Sequence, residues 1–184
     1  MKRSILPELI AFLLITNILS GCEDTYCPAF PGYLTDYLPY YENSNIEFMN
    51  SSENTVKILV SYVHETDSYT IKWNSKCSCA AYAAFKTEMN DNFLLEINGG
   101  ISVSDNKISI INYTLYDAKR SSDYFEYRVD GIDPFKKENE FLFGDSINLK
   151  NDNFYRYNDI LVVRGRGLVR FWDETYNCYW ELVD

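Results

Sequence analysis

The chain has 184 residues, 46% of them hydrophobic and 16% aromatic, with 16 tyrosines and a formal net charge of −10. That length suits one domain with a core of its own. The acidic balance argues against nucleic acid as the main partner, because phosphate binding rests on Lys and Arg, and against docking of the domain body on anionic lipid.

Met1-Lys2-Arg3 is a short basic start. Leu9 to Ile15 is an unbroken apolar run, followed by Thr16-Asn17 and then Ile18-Leu19. A bilayer span needs roughly 20 apolar residues, so this run reads as the core of a secretory signal and not as a membrane helix. Leu19-Ser20-Gly21-Cys22 comes next. These four residues resemble the lipobox of bacterial lipoproteins. The resemblance implies cleavage before Cys22, a lipid on its thiol and an acyl chain on the new amine. Two or more chains hold a protein stably on a membrane, whereas one holds it only marginally. Removal of residues 1–21 takes Lys2, Arg3 and Glu8 with it and leaves 163 residues with a charge of −11. Residues 22–32 are then expected to be the lipidated cysteine and a short tether, and residues 33–184 a single β-rich domain. The acidic Glu23-Asp24 resembles the surface-export signal of some Gram-negative lipoproteins; elsewhere the same positions sort lipoproteins between the two membranes. The protein is therefore expected in the cell envelope, on the outer membrane, facing periplasm or surface.

Cys27 to Gly32 is a Pro-rich turn segment. Tyr33-Leu34 and Tyr37-Leu38 recur at i, i+4, enough for one or two helical turns before Pro39 ends them. From there the period becomes two. Ile46 to Phe48 and Val56 to Val60 flank a hairpin loop at Ser51 to Asn54, and Tyr69 to Trp73 is another strand. Ala80 to Met89 contains good helix formers, but both flanks read as strands and strand is preferred. Phe93 to Ile97 and Ile101 to Val103 are expected on either side of a bulge or bend at Asn98-Gly99-Gly100. Ile108 to Tyr116 and Tyr124 to Val129 follow. Phe141 to Phe143, Ile147 to Leu149 and Tyr155 to Val163 are further strand pieces. Gly167 to Trp172 and Cys178 to Val183 form a last hairpin. In it Val169, Phe171, Cys178, Trp180 and Leu182 face the core, and Arg170, Trp172 and Glu181 face outward. Many short strands without a strong amphipathic helix imply an all-β, antiparallel fold: a sandwich, or a strongly curved sheet or half-barrel, with at most one or two short helices. The stretch Arg164 to Phe171 with Tyr179 to Leu182 resembles the closing hairpin of small β-rich envelope lipoproteins, which implies a β domain with no assigned activity.

Four cysteines remain after Cys22: Cys27, Cys77, Cys79 and Cys178. An even number in an exported chain favours disulfides. Cys77 and Cys79 lie about 6.6 Å apart along a strand, near the limit of disulfide reach, so Cys27 and Cys178 are each expected to take one of them. A Cys-x-Cys metal site would want more soft ligands, and the one histidine, His64, is distant in sequence. No metal or cofactor is expected. Even spacing puts Arg164, Arg166 and Arg170 on one face of a strand, with Leu168 and Trp172, where they could cradle an anion. Cross-strand pairing with the surplus acids is the competing account and the preferred one.

No Gly-x-Ser-x-Gly elbow, EF-hand loop or dinucleotide fingerprint is present, and no catalytic residue is nominated. The expectation is a lipid-anchored, non-enzymatic envelope protein that binds a protein or glycan partner or serves a structural role. The alternatives are a carrier of an apolar ligand in a half-barrel, and a hydrolase with a carboxylate pair.

Overall fold

Alternation of apolar and polar residues is realised as strands almost everywhere the sequence shows it. The computed structural model describes residues 28–65, 69–71, 76–87, 95–104, 107–117, 119, 121–151 and 153–183. Residues 1–27, with Cys22 and Cys27 among them, lie outside the described residues. A one-turn helix, α1 (Gly32–Thr35), precedes strands β1 (Asn45–Asn50), β2 (Thr55–Glu65), β3 (Tyr69–Ile71), β4 (Lys76–Thr87), β5 (Glu96–Ser104), β6 (Ile108–Tyr116) and β7 (Ser122–Asp130). A 3-10 segment, η1 (Lys137–Phe143), leads to β8 (Ser146–Leu149), β9 (Tyr157–Val163), β10 (Gly167–Asp173) and β11 (Cys178–Leu182).

All pairings are antiparallel, and the strands form one continuous sheet in the order β7-β6-β5-β4-β2-β1-β11-β10-β9-β8, with β3 beside β4. This is the strongly curved alternative of the expected all-β fold. The sheet wraps until its two edges meet: β7 lies against β8 and β9 without a backbone ladder joining them. The wrapped sheet has two poles. The end of β6 and start of β7, the end of β8 and start of β9, and the turns at 51–54 and 174–177 lie at one of them. Residue 107 and residues 131–145 and 164–166 lie at the other.

Residues 30–40 enter at the second pole and fill the concave side. Phe30, Leu34, Tyr37, Leu38 and Tyr40 are all buried in the main core. The Tyr40 hydroxyl accepts from the Leu168 amide of β10 at 2.6 Å and pairs with the Tyr113 hydroxyl of β6, so one side chain ties both halves of the sheet. Tyr113 also donates to the Tyr37 carbonyl at 2.8 Å. Burial pushes the Tyr40 hydroxyl up to about 12.

Several expectations are corrected. The tether was expected to reach residue 32, but Phe30 and Pro31 are already buried, because the apolar ring of Phe30 has a core to join. No bulge or bend interrupts β5: Asn98, Gly99 and Gly100 pair in register with β4 on one side and β6 on the other. Gly99 instead makes room, since a Cβ there would sit 2.7 Å from Leu38 Cδ2 and 3.1 Å from the Tyr113 ring. The stretch Phe141 to Phe143 is not a strand but the end of η1, whose turn lays the Phe143 ring 5.7 Å from that of Tyr33.

Candidate functional site

The last hairpin has the register expected of it: Arg170 opposes Glu181, Phe171 opposes Trp180 and Trp172 opposes Tyr179. Phe171 and Trp180 are buried, and Trp172, Tyr179 and Glu181 point outward. One strand further on, Met49 of β1 opposes Glu181. A side-chain groove of about 590 Å³ runs along β11 on this outer face, lined by Met49, Trp172, Tyr179 and Glu181 and reaching Glu53 and Asn177 in the hairpin turns. It is the candidate binding site.

Its aromatic wall is fixed in place. The Trp172 and Tyr179 rings meet edge to face, centroids 4.9 Å apart, an arrangement favoured by the ring quadrupoles. Trp172 Nε1 donates to Glu174 Oε2 at 2.7 Å. The Tyr179 hydroxyl donates to Asp159 Oδ2 at 2.6 Å, which raises the phenol and lowers the Asp159 carboxyl. The Arg170 guanidinium lies 4.6 Å from the Tyr179 ring centroid and 3.8 Å from Asp159. Both aromatic polar tips are thus occupied, and the pair is held rigid.

At the same pole, three buried aspartates hold the loops. Asp123 accepts from the backbone amides of Tyr155, Arg156 (2.8 Å) and Tyr157 (2.6 Å), latching the start of β7 to the entry of β9 where the sheet has no ladder. Asp117 accepts from the amides of Lys119 and Ser121. Asp173 accepts two bonds from Arg156 and one from the Thr175 amide.

The arginine cradle does not form. Gly165 and Gly167, both at positive φ, place Arg164 and Arg166 in the β9–β10 turn, while Arg170 is within β10. The β9–β10 pairing then slips on both sides of Arg170, so Leu168 goes to the core and Arg170 outward, and even spacing no longer means one face. Arg164 pairs with Asp36 at 2.9 Å and with Glu140. This is the acid-pairing account.

The disulfide expected at Cys178 is also corrected: its thiol is free, half-buried, and raised by burial. Cys178 opens β11 level with the turn at residues 51–54, whereas Cys77 and Cys79 lie on β4 past the residue opposite Glu65. The length of β2, about 33 Å at roughly 3.3 Å per residue, separates these levels, far beyond the ~7 Å limit between bridged Cα atoms. The side chains of Cys77, Cys79 and His64 lie outside the described residues; the backbone places His64 next to last in β2.

Outward Trp172 and Glu181 were legible in the sequence. Met49 and Glu53 were not, because only the β1–β11 pairing brings β1 to this surface. No known protein family matches the chain, and neither a curated protein nor a solved structure is detectably similar to it.

Proposed function

We propose that this is a lipid-anchored envelope protein that binds a glycan, without chemistry, in the groove along β11. The carrying observation is the Trp172–Tyr179 wall of the groove, held rigid with its polar tips tied back. Rigid aromatic surface beside polar acceptors suits sugars, whose rings offer C–H faces and hydroxyl rims. An extended peptide is less well served: β11 is paired on both sides, with β1 and β10, so no free strand edge is available for backbone pairing.

The anchor reading fits this placement. Phe30, eight residues after Cys22, is packed at the pole of Pro134 and Gly165, while the groove opens towards the opposite hairpin turns. A lipid on Cys22 would leave the groove facing away from the membrane. The carrier reading has less support. Among the described residues the concave side is filled by Leu34, Tyr37, Leu38 and Tyr40, where an apolar ligand would need space.

Two variants test the proposal. Cys22→Ser should abolish fatty-acid labelling and release the protein from membranes; continued labelling and pelleting would refute the anchor. Trp172→Ala should weaken binding to a panel of soluble oligosaccharides by about tenfold or more, the order expected of an aromatic platform. Its melting temperature should stay near that of the parent, since Trp172 is outside the core. A parent protein that binds nothing on the panel would refute the glycan reading.

A further inference from the structure

Among the described residues six large hydrophobic side chains are exposed, and three of them, Tyr124, Tyr155 and Tyr176, belong to the pole of the buried aspartates. They are 49%, 58% and 47% exposed. Aromatic surface left open on ordered loops marks an interaction site. One band of bonded structure carries all three. The Asp123 carboxylate holds the amides of Tyr155, Arg156 and Tyr157, and the Glu174 amide donates to the Arg156 carbonyl at 2.9 Å. The Arg156 guanidinium lies 5.6 Å from the Tyr176 ring centroid, and Asn50, at the β1–β2 turn, opposes Trp180 beyond it. Such loops need little reordering on binding, which favours association.

The exposed charges of this band are sorted by side. Lys119, after β6, and Lys150, after β8, stand at the end of Tyr124 and Tyr155, where the Asn151 side chain donates to the Tyr124 carbonyl. Glu53, in the β1–β2 turn, and Glu174, in the β10–β11 turn, stand at the end of Tyr176. All four residues are exposed, and among the described residues none of them is in an ion pair. The buried aspartates beneath direct their charge at backbone amides and Arg156. A face with a basic side, an acidic side and aromatic rings between is complementary to itself. Turned over by a two-fold axis lying in the face, its basic side meets the acidic side of a second copy, twice, and the tyrosines meet in the middle. Open tyrosine at the centre and charge at the rim is also the make-up of a protein interface. We infer that this pole docks on a second copy of the chain, with Lys119 and Lys150 of each copy facing Glu53 and Glu174 of the other. The dimer does not depend on the glycan reading. Residues 30–40 enter at the opposite pole, so the two N-terminal segments leave from its far ends. On the anchor reading, it joins two facing membranes.

Sedimentation equilibrium of the full mature protein in mild detergent tests this. The parent should form a dimer that dissociates on dilution and with added salt. Tyr155→Ala/Tyr176→Ala should weaken it by about tenfold or more. Lys119→Glu/Lys150→Glu makes the face acidic throughout, and Glu53→Lys/Glu174→Lys makes it basic throughout. Each of these variants alone should be monomeric, and an equal mixture of the two should dimerise. A monomeric parent overturns the proposal. So does a dimer that either charge variant alone retains, which would place the interface elsewhere, and so do folded charge variants that ignore each other when mixed. Phosphatidylcholine vesicles carrying the lipidated parent should cluster, and vesicles carrying one charge variant should not. Dimers in solution without clustered vesicles overturn the joining of membranes and leave the dimer standing.

Discussion

The two poles of the sheet solve one problem with different groups. Each must hold irregular backbone against the end of a curved sheet whose ladder has run out. The pole where residues 30–40 enter does it with neutral phenols: Tyr33 donates to the Pro134 carbonyl, Tyr37 to the Gly144 carbonyl, and Tyr40 accepts from Leu168. The opposite pole uses carboxylates: Asp117, Asp123 and Asp173, all buried, between them take amides from three loops. A phenol brings a large apolar body with one polar tip, so it can fill the core and satisfy one carbonyl at once. A carboxylate brings little bulk but four lone-pair sites, so it can gather several orphan amides where the chain turns sharply. The first pole is a plug and the second a set of clasps.

The clasps should be the more fragile. Asp173 is fully buried and its partner Arg156 is 12% exposed, so Asp173→Ala removes both carboxylate bonds of a mostly buried guanidinium and should cost roughly 3 kcal/mol in chemical denaturation. Asp36→Ala at the plug pole removes a partner of Arg164 that is itself partly exposed, and Glu140 remains, so the loss should be below about 1 kcal/mol. Similar losses from the two would erase the distinction between the poles.

Asp123→Asn keeps the shape but replaces one acceptor oxygen with a donor facing amides. About 1–3 kcal/mol should be lost. Hydrogen exchange should quicken at Tyr155, Arg156 and Tyr157 and not at Leu168, which the plug holds. Uniform quickening would show that the two poles open as one.

Alkali should reach the plug first. Burial holds the hydroxyls of Tyr37 and Tyr40 up at about 12, against 10 for a free phenol. A folded value above the unfolded one gives stability that is complete below pH 10 and lost as pH rises through about 12. Ultraviolet titration should show these phenols ionising only as the fold is lost. Tyr40→Phe removes the hydroxyl that accepts from Leu168 and should cost about 1 kcal/mol at neutral pH. It should also move the alkaline limb upward, and an unmoved limb would place the sensitive phenol elsewhere.

Much of the fold was legible from local pattern. The alternation in Ile108–Tyr116 and the hairpin register Arg170–Glu181 follow from period two and from which residues are apolar, which every strand of a one-sided sheet must obey. The face of Leu168 was not, because a slip in pairing with β9 reversed the alternation, and a slip belongs to the partner strand as much as to β10. The clasps were hidden for the same reason. Asp123 is one of 27 acidic residues until β9 arrives beside it.

By itself, then, the sequence determined the β class, most strand positions and the outward set Arg170, Trp172 and Glu181, all properties of neighbours along the chain. The tertiary structure alone decided that Gly99 makes room for the plug instead of making a bend, that Cys178 is out of reach of Cys77 and Cys79, and that Met49 and Glu53 join Trp172 and Glu181 in a groove. Each of these depends on strand order and register, which are set by loop closure and packing across the whole core, and no local pattern encodes them.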